Sequence, residues 1–172
     1  ALANSLRNAS RGLASQLTTT HDLLETATRM DDAIGRARQR APEFFDGLNA
    51  FMRQQTADEG DYDKRLSLDR SMRVQPDWGD VELAWENLSA TITEVDSALG
   101  KLQRGLQSPE ATAILDHDTL LSDSAELLQP GEALREGISA IILKDDANAI
   151  CWLTQRRSGT GTLLASAPLS VA

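Results

Sequence analysis

The sequence predicts a mainly α-helical protein, an elongated antiparallel helical bundle with a short extended segment near residues 66–75 and a C-terminal β-hairpin. Apolar residues alternate by four and three along residues 78–106, which is the pattern of a helix packed lengthwise against other helices. Aromatic residues make up 4% of the 172 residues, a low content that helix bundles tolerate. Near the end of the chain, two apolar runs flank a turn that contains glycine, which favours a hairpin.

The N-terminal part of the chain is predicted to form two helices. Apolar residues recur at helical spacing from Leu2 to Leu17, and the threonines at 18–20 predict a break. A second apolar stripe continues to about Gln55. Pro42 is expected to kink or divide this second helix, because proline removes a backbone donor and clashes with the preceding turn.

A polar segment follows the second helix. Residues 57–64 contain three Asp, one Glu and one Gly, which predicts a loop, and the carboxylates lack the spacing of a calcium-binding EF-hand. Residues 66–68 and 72–74 alternate apolar and polar side chains with period two. They therefore predict either a small strand pair or a segment that runs extended across the bundle.

The longest predicted helix covers about residues 78–106, with Asp77 as its N-cap after Pro76. It is about 43 Å long at 1.5 Å per residue. A continuous apolar seam along such a helix indicates scaffold rather than chemistry. Its members are Val81, Trp85, Leu88, Ile92, Val95, Leu99, Leu102 and Leu106.

The next helix is predicted to begin at Ser108 and Pro109, the first as cap and the second as the first helical residue. Pro130 and Gly131 are expected to interrupt it, and a further helix follows. The apolar positions of the helix before Pro130 are Ile114, Leu121, Ala125 and Leu128. Those of the helix after Gly131 are Leu134, Ile138, Ile141 and Ile142.

The predicted hairpin consists of the apolar runs 149–155 and 162–171. We expect a helical domain at residues 1–147 and the hairpin at 148–172. An isolated two-stranded hairpin is only marginally stable, which predicts a sheet completed by residues outside the chain. Because the chain begins within a helical pattern and without an initiator Met, we expect it to be a piece of a larger protein.

Charge is distributed unevenly along the chain. Residues 1–75 hold 11 Lys or Arg and 11 Asp or Glu, whereas residues 76–172 hold 6 and 15, so the net charge of −9 lies entirely in the later part. That part should repel nucleic acid over most of its surface. The sequence has neither a signal peptide nor an apolar run of about 20 residues, which predicts a cytoplasmic protein without a membrane span.

Five segments together suggest a family. They read RLSL at 65–68, MRVQPDW at 72–78, VELAWENL at 81–88, ICWL at 150–153 and LLASAPL at 163–169. Their order resembles the DinG branch of the DinG/XPD-like superfamily 2 DNA helicases. In these proteins a helical insertion, the arch domain, lies between the DEAH box and the Ser-Ala-Thr motif of the first motor domain. The closing strand, turn and Ala-Pro-Leu strand look like the return of the chain to that motor domain.

The resemblance implies a parent protein that uses ATP and Mg²⁺ to move along single-stranded DNA, with the arch closing over the strand and contacting the remaining motor domains. Whether such a parent carries an iron–sulfur cluster or a nuclease domain stays open. The chain itself has no phosphate-binding loop, no DEAH box and no four-cysteine cluster. We therefore assign it no catalytic residue and no cofactor of its own.

Candidate nucleic-acid contacts are basic and aromatic side chains in the first half of the chain: Arg36, Arg40, Arg70, Arg73 and Trp78. Guanidinium groups bind phosphates and stack on bases, and an indole ring stacks on bases as well. The competing interpretation is a solvated basic helix face for the first pair. For the others it is local ion pairing and a Trp78 that covers the start of the long helix.

No metal site is predicted. Each of the two histidines, His21 and His117, has adjacent carboxylates, but neighbouring residues on a helix point in different directions. The lone Cys151 lies in an apolar run, so it excludes a disulfide within the chain and is expected to be packed and unreactive.

Two functions from different classes thus remain. The first is a non-catalytic arch region of a DinG-type ATP-dependent DNA helicase or helicase-nuclease. The alternative is an acidic helical protein–protein interaction module, which the charge of the later part favours over direct DNA binding.

Overall fold

The computed structural model describes residues 2–56, 64–155 and 162–169, with side chains from residue 15 onward except at position 129. It is mainly helical and has an antiparallel hairpin near the C-terminus, which confirms the predicted fold class. The elements are α1 (Leu2–Gln55), β1 (Lys64–Ser67), α2 (Arg70–Arg73), α3 (Pro76–Leu106), a 3₁₀ helix (Pro109–Ala113), α4 (His117–Leu143), β2 (Ala149–Gln155) and β3 (Thr162–Pro168).

Helix α1 is continuous where the sequence predicted two helices. The expected break at the threonine run is wrong: the Thr20 hydroxyl donates to the Gln16 carbonyl at 2.9 Å and so remains compatible with the helix. Pro42 also lies inside α1 and does not divide it. Packing of one helix face offsets the hydrogen bond that proline removes.

Residues 66–74 form neither a strand pair nor one extended segment. Only β1 is a strand, and it pairs with the distant β2, with Leu66 opposite Leu153. The second period-two run falls in the short helix α2, where the Asp69 side chain accepts from the Met72 amide at 3.0 Å and caps the first turn. The predicted loop at 57–63 lies outside the described residues.

The three strands form one antiparallel sheet in the order β1-β2-β3. Strand β2 confirms the predicted first strand of the hairpin, and β3 covers most of the predicted second strand at 162–171. The third strand, β1, belongs to the chain itself and pairs with β2. The expectation that residues outside the chain complete the sheet is therefore wrong at the β2 edge of the hairpin. The hairpin tip at 156–161 lies outside the described residues.

Helix α3 begins two residues earlier than predicted. Pro76 is its first residue, and the Trp78 amide donates to the Gln75 carbonyl at 3.0 Å. Asp77 is therefore not the N-cap but a first-turn carboxylate, which still favours the positive end of the helix dipole. The seam is confirmed, because Val81, Trp85, Leu88, Leu99 and Leu106 are buried and Ile92, Val95 and Leu102 are half-buried.

The segment after α3 forms a 3₁₀ helix rather than the start of an α-helix. Pro109 is its first residue as predicted, but the Ser108 side chain makes no cap hydrogen bond. Helix α4 then runs through Pro130, so the predicted interruption is wrong. A Cβ atom at Gly131 would lie 3.0 Å from Asp96 Oδ1, which explains a small residue at this position.

The chain divides into two compact units. One comprises Ala1–Gly35 with Thr91–Glu132, and its core contains Leu23, Leu106 and Ala111. The other comprises Arg36–Ala90 with Ala133–Ala172. Its largest fully buried side chains are Trp78, Trp85, Phe44, Phe51, Leu48, Met52, Ile142, Leu153 and Val81. A boundary between a domain at 1–147 and a hairpin at 148–172 stays a prediction.

Candidate functional site

Arg73, a candidate DNA contact, lies in the last turn of α2 and binds the C-terminal end of α4. Its Nη1 donates to the Ile141 carbonyl at 2.6 Å and to the Ile142 carbonyl at 3.0 Å. These carbonyls belong to the last turn of α4, where helix carbonyls lack partners within the helix and the dipole attracts a cation. Arg73 is thus engaged as a helix cap, and a phosphate would have to compete with these contacts.

Trp78 is fully buried and belongs to the core of its unit. Its ring packs edge-on against Phe51 with 5.0 Å between the ring centroids, and the Arg73 guanidinium lies 5.6 Å from the indole centroid. A base cannot reach this ring unless the start of α3 unpacks. The arrangement corresponds to the competing interpretation, in which Trp78 covers the beginning of the long helix.

The other three candidates differ in how they are engaged. Arg40 Nη1 donates to the Asn87 carbonyl at 2.6 Å, which ties α1 to α3. Arg36 and Arg70 are exposed. The structure therefore does not bring the five predicted residues together as one basic and aromatic surface. A role for Arg36 and Arg70 in DNA binding stays a prediction.

The start of α2 is held by a carboxylate that is itself stabilised by hydrogen bonds. Ser71 Oγ donates to Asp69 Oδ1 at 2.6 Å, and the Met72 amide donates to the same oxygen. These two bonds, the Ser71 bond foremost, lower the pKa of Asp69 below its ordinary value. The charged cap fixes α2 and with it the position of Arg73.

One group of potential metal ligands occurs among the described residues. His21, Asp22 and Glu25 place one ligand atom each within 4.8 Å of one another on α1. All three side chains are exposed, and Glu25 is hydrogen-bonded to Arg29 one turn later. An exposed cluster on one helix whose carboxylate already has a partner does not identify a metal site. The acidic segment at 57–63 lies outside the described residues.

His117 joins the end of α3 to the start of α4, a role that sequence reasoning missed. Its Nε2 lies 2.7 Å from the Leu106 carbonyl oxygen and its Nδ1 lies 3.0 Å from Asp118 Oδ1. A neutral imidazole has one N–H and serves one of these two acceptors, whereas the imidazolium donates to both. Both hydrogen bonds accordingly raise the pKa of His117, and the bond to the Leu106 carbonyl has the larger effect. Asp116, which precedes it with φ of 59°, supplies the left-handed turn.

This arrangement predicts that the stability of the protein depends on pH through His117. Because the folded-state pKa is raised above the ordinary value of about 6.5, the contribution is fully present below that pH and is lost as pH rises through the folded-state pKa. We expect His117→Gln to lower the melting temperature at about pH 6 and to have a smaller effect at about pH 8.

The control is a His21→Gln background, which leaves His117 as the single histidine of the chain. NMR titration of that variant measures the His117 pKa directly. An equal loss of melting temperature at both pH values, together with an unshifted titration, would contradict the assignment.

Two residues of the closing segment, Trp152 and Cys151, lie on β2 of the sheet. The Arg65 guanidinium lies 4.1 Å from the Trp152 ring centroid, a cation–π contact between β1 and β2 that sequence alone did not indicate. Cys151 is buried on the opposite face of β2, which confirms that its thiol is packed.

A groove runs beside β3 in the second unit. It has a volume of about 430 Å³ and is lined by side chains from α1, α4 and β3, among them Phe45, Leu134, Ile138, Ile141, Leu163 and Leu164. Phe45, Leu134 and Leu163 are 42%, 61% and 52% exposed. The groove is open and apolar, so it offers area for a partner chain rather than groups for catalysis.

Comparisons of the chain with protein-family models, with curated proteins and with solved structures found no match. None of the described helices combines the length and the hydropathy that a membrane span requires.

Proposed function

We propose that the chain is the non-catalytic arch region of a DinG-type ATP-dependent DNA helicase or helicase-nuclease. The observation that carries the proposal is the pairing of the two closing segments. The strand that contains ICWL and the strand that contains LLASAP are antiparallel neighbours, with Leu153 opposite Leu164, directly after a long helical region. This order matches the return of an arch insertion to its motor domain in the family that the sequence resembles.

Helix α3 would act mechanically in such an arch. It has 31 residues, which corresponds to about 46 Å, and its apolar seam is buried or half-buried along its length. A helix supported by packing along one face resists bending better than a loop or a chain of short helices. The role of α3 is therefore to keep the arch at a constant height above the motor while DNA passes.

DNA contact through this region would rest on charge rather than on base stacking. Arg36 and Arg70 are exposed, whereas Trp78 is buried and Arg73 and Arg40 bind backbone carbonyls. Binding of ATP and Mg²⁺, and the chemistry of hydrolysis, belong in this proposal to the motor domains of a cytoplasmic parent. The arch closes over the single strand without taking part in that chemistry.

The second candidate is an acidic helical protein–protein interaction module, and the groove beside β3 favours it. Its exposed apolar side chains lie in a chain of net charge −9, and such a combination suits a protein partner better than a nucleic acid.

The decisive experiment is to determine the natural reading frame on both sides of the segment. A phosphate-binding loop and a DEAH box upstream, with Ser-Ala-Thr shortly downstream, are the result expected for the helicase arch. Unrelated flanks, or a natural start and stop at these ends, would overturn that proposal and leave the interaction module.

A further inference from the structure

The outer edge of β3 has the hydrogen-bonding groups of a strand that lacks a neighbour. The Leu169 amide donates to the Asn148 carbonyl at 2.7 Å, so Leu169 faces β2. Backbone groups of alternate residues in an antiparallel pair point to opposite edges. Leu164 and Ser166 therefore direct their N–H and C=O groups away from β2, where no other strand of the described ranges 2–56, 64–155 and 162–169 pairs with them.

The groove lies along this same edge. Leu164 and Ser166 line it together with Phe45 and Leu134 from the flanking helices. A chain that continued the sheet beyond β3 would place every second side chain over the groove, because side chains of adjacent paired strands share a face. The free hydrogen-bonding groups and the apolar groove thus require the same shape of ligand, an extended strand.

The charges near the groove indicate which strand is suited to it. Strands β2 and β3 contain no charged residue within their described bounds. Five charged residues are adjacent in sequence to the helix residues that line the groove. Four are acidic and exposed, Glu43, Asp46, Glu132 and Glu136, and the fifth is the half-buried Arg135. A strand with basic flanks complements this charge, whereas a second copy of a chain with net charge −9 is repelled.

We propose that the outer edge of β3 and its groove bind an extended segment of a partner protein, with alternating apolar side chains and basic flanks. The segment adds to the sheet as a fourth strand next to β3. Pro168 lacks an N–H group and so limits the pairing to the residues before it. The mode is β-strand addition, in which backbone hydrogen bonds supply affinity and the groove selects side chains. This proposal does not depend on the helicase assignment.

The test uses the 172-residue chain and a fluorescent synthetic peptide, with binding measured by fluorescence anisotropy. The peptide has a central run of alternating Val and Thr and paired Lys at each end. We expect saturable binding, and binding weaker by about tenfold or more when the terminal Lys residues are replaced by Glu at low salt.

Two N-methylated peptides distinguish strand addition from simple apolar contact. One carries methyl groups on the Val amides and the other on the Thr amides, so each loses the donors along one edge of the peptide strand. Loss of binding for one peptide and retention for the other is the expected result. Equal binding by both peptides would overturn the proposal, since no edge of the peptide would then be pairing with β3.

Matched variants test the groove. Leu134→Asn replaces a groove side chain that is 61% exposed, and Leu127→Asn makes the same change at a residue of α4 that is 63% exposed and does not line the groove. We expect Leu134→Asn to weaken binding by about tenfold and Leu127→Asn to leave it unchanged, both with wild-type melting temperatures. Equal binding by the two variants contradicts the proposal.

Analytical ultracentrifugation tests the alternative occupant of the groove, a second copy of the chain. A concentration-dependent dimer that Leu134→Asn dissolves would overturn the proposed partner strand in favour of a second copy of the chain. A monomer that binds the peptide supports the proposal, whatever the flanking reading frame contains.

Discussion

Replacing Leu99 with Asp is expected to unfold the unit that contains this residue. Leu99 is 7% exposed on the seam of α3, so the variant loses the burial of a leucine side chain, about 1.5–3 kcal/mol. It also places a carboxylate away from water without a partner, which costs more. A combined loss above about 4 kcal/mol is comparable to the total stability of a marginal domain. Far-UV circular dichroism and thermal melting measure the loss.

Leu83→Asp is the matched control for this variant. Leu83 lies on the same helix but is 57% exposed, so it shares the modest helix-propensity cost of Asp without burying a charge. We expect its melting temperature to stay close to that of the wild type. The assignment of the seam would be wrong if Leu99→Asp melted within about 2 °C of Leu83→Asp.

Phe44→Ala is expected to destabilise the second unit by about 3–5 kcal/mol. Phe44 is 1% exposed, and its ring centroid lies 5.3 Å from that of Trp85 and 5.3 Å from that of Phe45. Truncation removes these aromatic contacts and leaves a cavity that the rigid helices on either side fill incompletely. Urea unfolding followed by tryptophan fluorescence measures the change, because Trp85 is a reporter at the site.

The neighbouring phenylalanine provides the control. Phe45 is 42% exposed, so Phe45→Ala leaves no enclosed cavity and should cost much less than Phe44→Ala. Similar midpoints for the two variants would show that the face of α1 assigned to the core is incorrect.

Local patterns predicted the elements that depend on neighbouring residues in sequence. The spacing of Val81, Trp85 and Leu88 identified the buried face of α3, and the apolar run at 149–155 coincides with β2. Helix periodicity and strand composition are properties of a short window, so they can be read without knowing the rest of the fold.

The candidate site was less accessible to this kind of reasoning. Residue type identified Arg73 and Trp78 as capable of binding DNA, but not that one caps α4 and the other is buried. The Leu106 carbonyl that His117 binds and the groove beside β3 were also missed. Each of these features joins residues from separate elements, and no spacing within the chain encodes it.

The sequence by itself determined the helical class, the seam of α3 and the two strands of the hairpin. The tertiary structure decided that β1 pairs with β2, that α1 continues through Pro42 and that α4 continues through Pro130. The physical reason is that propensities near a proline or a threonine run amount to a few kcal/mol at most. Burial of an amphipathic face along a whole helix exceeds them, and the partner that supplies this burial is set by contacts between residues far apart in the chain.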